Sequence, residues 1–158
     1  MAKDQENASE THVDLQQMVT FRISRLHARL TAQASKILKE TAGISLMQWR
    51  VFVMLESHGK ITPAEIVRRT DLDKGQLSRA IKSMVELGLI TSEASESDLR
   101  AHKLDFTQKG LEVFMRARPH MRHRQSLLLG ALDQKEQDAL FDALHKLDIV
   151  VDEFEAGS

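Results

Sequence analysis

Between positions 71 and 90 the chain reads DLDKGQLSRAIKSMVELGLI, and its polar residues fall where chemistry with an anion is possible. Leu77, Ala80, Ile81, Met84, Val85 and Leu87 recur at three- and four-residue spacing, which predicts a helix with one apolar face. The other face carries Lys74, Gln76, Ser78, Arg79 and Lys82. These side chains donate hydrogen bonds to phosphates and base edges, and they gather toward a helix start, where unpaired backbone N–H groups favour anions. Gln76 and Arg79 suit bases, because an amide pairs bidentately with adenine and a guanidinium with guanine. Lys74 and Lys82 suit phosphate, which gives affinity and salt dependence rather than sequence choice. A merely solvated amphipathic helix would show the same pattern, so its surroundings decide.

Other chemistries find less support. The chain has no cysteine, which excludes disulfides, thiolate metal sites and cysteine redox sensing. It has no glycine-rich phosphate loop and no nucleophile elbow, and its carboxylates lie on expected exposed faces and at the acidic end, so no enzyme is expected. His120 and His123 sit three residues apart on one expected helix, close enough to share an ion, but their neighbours are Arg118, Arg122 and Arg124. Cations repel a metal ion there, so neither a metal nor a cofactor is expected.

The formal net charge of −1 over 158 residues hides a strong partition. Residues 1–14 carry a net −3, residues 15–130 a net +8 and residues 131–158 a net −6. A basic middle with acidic ends predicts one pole for an anionic partner and another turned away from it. Apolar residues never run long enough to span a bilayer, and the start MAKDQENASET lacks a signal-peptide core, so the expectation is a cytoplasmic chain.

The elements that must position these residues are marked by their starts. Ser45 with Gln48 forms a capping-box pattern flanked by Ile44 and Trp49, and Thr62, Pro63 and Glu65 repeat it between Ile61 and Ile66. Asp73 with Gln76, Thr107 between Phe106 and Leu111, and Asp133 with Glu136 mark three more. The pattern predicts helices over about residues 12–40, 46–57, 63–70 and 74–87, with Gly59 and Gly88 as stops. Two short helices joined by DLD make a helix-turn-helix, whose second member lies in the DNA major groove. Residues 89–94 and 102–106 read as strands of a hairpin, a wing whose tip offers Arg100 to a minor groove, with Asp98 to orient it. Beyond it, residues 107–129 predict a long helix kinked at Pro119, and Leu140, Leu144, Leu147, Val151 and Phe154 form the seam of a last one. The expected fold is mainly α with a small β-hairpin wing.

In this order, LMQWRVFVML, ITPAEIVRRTDLDKGQLSRAIKSMVELGLI and SDLRAHKLDFTQKG resemble the MarR family of winged helix-turn-helix transcription regulators. The family's wing pattern is met by Asp98, Arg100, Phe106 and Thr107, and the resemblance extends over residues 15–154. Leu99 stands where many members have a second arginine, and Phe106 where leucine is usual. The resemblance implies a homodimer in which the first helix and the last two interlock with a second chain, so that two recognition helices meet a pseudo-palindromic operator in double-stranded DNA. It also implies a small anionic or aromatic effector between the dimer helices and the winged domain, where Arg25, His27, Trp49 and Arg50 are candidates. Trp49 fits equally well as a core residue at a helix start. The expected layout is a disordered tail over residues 1–11, dimerisation helices over 12–44 and 107–155, and the winged helix-turn-helix over 45–106. The implied function is a repressor released by an effector; a protein-contact module, or an activator without effector, is the alternative.

Overall fold

The computed structural model describes residues 14–70, 72–94 and 102–157. Six α-helices and one antiparallel hairpin follow in the order α1 Val19–Ala42, α2 Leu46–His58, α3 Pro63–Thr70, α4 Lys74–Glu86, β1 Ile90–Ala94, β2 His102–Phe106, α5 Gln108–Gly130 and α6 Gln134–Ala156. The mainly α architecture with a two-stranded wing is the one expected.

Capping chemistry sets most boundaries. In α2 the Ser45 hydroxyl accepts from the Gln48 N–H while the Gln48 amide oxygen accepts from the Ser45 N–H. Asp133 and Glu136 close the same reciprocal box at α6, and Thr62 with Glu65 does so at α3. α1 starts later than expected. Asp14 caps a single 3₁₀ turn over Leu15–Gln17, Met18 is extended, and the α-helix begins only at Val19 without a side-chain cap. It then runs two residues past Glu40 to Gly43, whose φ of 69° turns its N–H back to the carbonyls of Leu38 and Lys39. α5 continues through Pro119 as one helix.

The winged unit closes around aromatic residues drawn from three elements. Phe52 of α2 stacks on Phe106 of β2 with centroids 5.2 Å apart, and Trp49 stacks on Phe114 of α5 at the same distance. Leu38, Ile66, Leu77, Met84, Ile90 and Leu104 join them in the buried core, contributed by α1, α3, α4 and both strands. The hairpin pairs Ile90 with Phe106 through Ala94 with His102, and Ile61 bridges Leu104 on its other side. The first strand begins at Ile90 rather than Leu89 because the Leu89 N–H is spent on the Met84 carbonyl, closing α4 together with the Gly88 bond to Val85. α6 has no buried residue.

Candidate nucleic-acid interface

α4 is held from beneath so that its polar face stays in water. Leu77 and Met84 are buried, while Lys74, Gln76, Ser78, Arg79 and Lys82 are all exposed. Gln48, the one buried polar side chain among the described residues, uses its free amide N–H to reach the Ser83 hydroxyl at 3.4 Å, tying α2 to α4. At the far end Lys109 donates to the Leu87 carbonyl at 2.8 Å and Thr107 to the Gly88 carbonyl at 2.7 Å. α4 is therefore anchored to the start of α5 by the carbonyls a helix end leaves unpaired. Gly110 brings the two this close. A Cβ there would lie 1.8 Å from the Leu89 carbonyl oxygen.

At the other end the Asp73 carboxylate accepts from the Gln76 N–H at 2.7 Å, fixing the first turn. The Arg79 guanidinium lies back over that turn, where a Cβ at Gly75 would meet Arg79 Nη1 in ordinary contact at 3.5 Å and Asp73 Oδ1 more tightly at 3.3 Å. Lys82 pairs loosely with Glu86 at 3.9 Å, both largely exposed, so water competes for the ion pair and the ammonium is available to another anion. Arg68 and Arg69 are exposed in the last turn of α3 and widen the basic surface beside α4. The sequence reading passed over them, although the pair RR before the helix-turn-helix turn was visible. Asp98 and Arg100 lie outside the described residues.

The effector candidates divide. His27, Trp49 and Arg50 line one cleft of about 430 Å³ between α1, α2 and α5, and Arg122 and Arg124 join them there. Arg124 is fixed, donating to the Gln33 side chain and the Leu30 carbonyl of α1, each at 3.0 Å. Arg25 lies apart, in a hollow along the first half of α1 with Arg22 and Arg29. Trp49 serves in both ways left open by the sequence: half-buried, it stacks on Phe114 and also walls the cleft. His120 and His123 face Glu40 across a separate groove between α1 and α5, and no group of three metal-ligating side chains converges among the described residues. Nor is any described helix long and apolar enough to cross a membrane.

The comparisons agree with this geometry. The family model for MarR proteins matches residues 42–101. The organic hydroperoxide resistance transcriptional regulator of Bacillus subtilis is 27% identical over 99 residues, 63% of this chain and 67% of that protein. A MarR/EmrR family transcriptional regulator from Acinetobacter superposes with a TM-score of 0.80 at 27% identity, covering 89% of this chain and 99% of its own. The PcaV transcriptional regulator from Streptomyces coelicolor, solved with its natural ligand, shares the fold at a TM-score of 0.75 and 19% identity, covering 88% and 97%. With its helix-turn-helix, its paired wing strands and these likenesses together, the chain resembles the MarR family of transcriptional regulators, over residues 42–101 by the family model and over 89% of its length in fold.

Proposed function

We propose that the chain acts as a homodimeric repressor that binds a pseudo-palindromic operator and leaves it when a small anionic or aromatic molecule enters the α1–α2–α5 cleft. The observation that carries the DNA reading is the exposed donor face of α4, clamped at both ends by Gln48 and by the start of α5. Gln76 and Arg79 are assigned to base edges, and Lys74, Ser78 and Lys82 to the backbone. Arg68 and Arg69 add phosphate contacts from α3. Arg100 is assigned to the minor groove, with Asp98 orienting it.

The dimer is supported by α6, which has no buried residue yet exposes Leu140, Phe141, Leu144, Leu147, Val150 and Val151. An apolar face of this extent is out of place on a free monomer. Residues 12–44 and 107–155 are thus assigned to dimerisation and residues 45–106 to DNA. The effector reading rests on the cleft. Arg50 and Arg122 supply positive charge beside the Trp49 ring, which suits an aromatic carboxylate.

Binding to the promoter region beside the chain's own gene, measured across a salt series with random DNA as competitor, tests the proposal. Selective binding whose affinity falls steeply with salt is the expected result. Binding equal to that of random DNA at every salt concentration would sink it, and binding indifferent to salt would favour a protein-contact module.

A further inference from the structure

Two unpartnered helix faces carry matching patterns of apolar and charged residues. On α1, Val19, Ile23, Leu26 and Leu30 follow four-, three- and four-residue steps, and on α6 Leu140, Leu144, Leu147 and Val151 follow the same steps. All but the half-buried Leu30 are between 38% and 57% exposed. Beside the α1 seam stand Arg22 and Arg29, seven residues apart; beside the α6 seam stand Asp148 and Glu155, also seven apart. All four are exposed, and none pairs with an opposite charge within the described chain. Within one protomer α6 makes no extensive contact with α1.

Resting on the homodimer proposed above, we infer that α1 of one protomer packs parallel to α6 of its partner, in a register fixed by Arg22 against Asp148 and Arg29 against Glu155. Aligning Val19 with Leu140 sets Ile23 beside Leu144, Leu26 beside Leu147 and Leu30 beside Val151. In that register each acid stands five positions beyond its arginine, the relation of g and e positions in parallel heptads, where opposite charges select partner and orientation. A second copy is the occupant because the charges are complementary. The α1 segment 15–30 holds three arginines and no acid, whereas residues 131–158 carry a net −6. An antiparallel arrangement would set g against g and e against e, leaving Arg22 and Arg29 opposite the uncharged Ala143 and Val150 and away from Asp148 and Glu155.

The test uses two charge-reversed full-length chains, R22E/R29E and D148K/E155K, whose dimerisation is followed by sedimentation. Each alone is expected to dimerise more weakly than the parent by on the order of tenfold to a hundredfold, since four pairs per dimer turn from attraction to repulsion. An equimolar mixture of the two is expected to recover near-parental affinity as a heterodimer, because every arm then meets an opposite charge. A neutral R22Q/R29Q chain, with helicity checked by circular dichroism, is expected to lose the parent's sensitivity to salt. If the reversed chains dimerise as the parent does, or the mixture stays as weak as its components, the register is wrong and the homodimer stands. A parent chain that is monomeric at micromolar concentration removes both.

Discussion

At the scale of single residues, the DNA contacts proposed for α4 fall to side chains that would choose a base and side chains that would hold the backbone. Arg79 lies back over Gly75 beside Asp73, and its planar fork is the group proposed for one guanine. Arg79→Ala is expected to cost about 1–3 kcal/mol on the operator and to relax preference at one base position, whereas Lys82→Ala weakens operator and random DNA alike and lowers the salt slope by about 1. Equal losses for Arg79→Ala on both DNAs would remove its role in base readout. Gly110 carries a prediction of another kind. With the Leu89 carbonyl 1.8 Å from where a Cβ would sit, Gly110→Ala must push α5 off the start of the wing. A loss of about 1–3 kcal/mol in urea unfolding is expected, as for other overpacked sites, together with weaker DNA binding because Lys109 no longer reaches the end of α4. Nothing in the run TQKG announces this need. It arises only when two elements distant in sequence meet, while Gly88, with its φ of 66° in a helix-closing turn, was legible from its place after an apolar period.

At the scale of elements, the helix starts were the most legible part of the fold because capping is settled within four residues. Thr62 and Glu65 show how much such a start depends on charge. Hydrogen bonds from the Thr62 backbone and hydroxyl hold the Glu65 carboxyl below its ordinary value, with Arg68 and Arg69 adding a smaller attraction. A lowered folded pKa means the unfolded chain binds that proton more readily. The contribution is therefore fully present above the ordinary glutamate range and is lost as pH falls through the lowered value. Glu65→Gln should flatten the acid limb of a stability profile at this step while changing little at neutral pH, because glutamine can still close the box. Thr62→Ala should cost about 1 kcal/mol at neutral pH in thermal or urea unfolding. The start of α1 was less legible: periodicity continued back through Leu15, but Asp14 diverts the backbone into a 3₁₀ turn. The cleft was legible only in half. His27, Trp49 and Arg50 followed from the resemblance, whereas Arg122 and Arg124 enter because α1 packs against α5, a long-range pairing that no local pattern encodes.

For the whole molecule, the charge partition suits the proposed division of labour: α3 and α4 expose Arg68, Arg69, Lys74, Arg79 and Lys82, while residues 131–158, with a net −6, would be repelled by DNA. The cleft is walled by α1 and α5 on one side and by α2 of the winged unit on the other. A ligand seated there would touch α1, α5 and the helix whose Gln48 reaches α4, so in the proposed dimer a ligand that fits one separation of the recognition helices would oppose any other. Linkage makes the consequence measurable. If an aromatic carboxylate lowers operator affinity by some factor, operator DNA must lower the carboxylate's affinity by the same factor. Isothermal titration of such an acid into the protein alone and into its operator complex should give that equality. Arg50→Ala should weaken the acid on the order of tenfold, a charge-assisted hydrogen bond lost, while leaving operator affinity without ligand near the parental value. A ligand that binds the free protein and the operator complex equally well would show that the cleft does not govern DNA release, whatever its affinity.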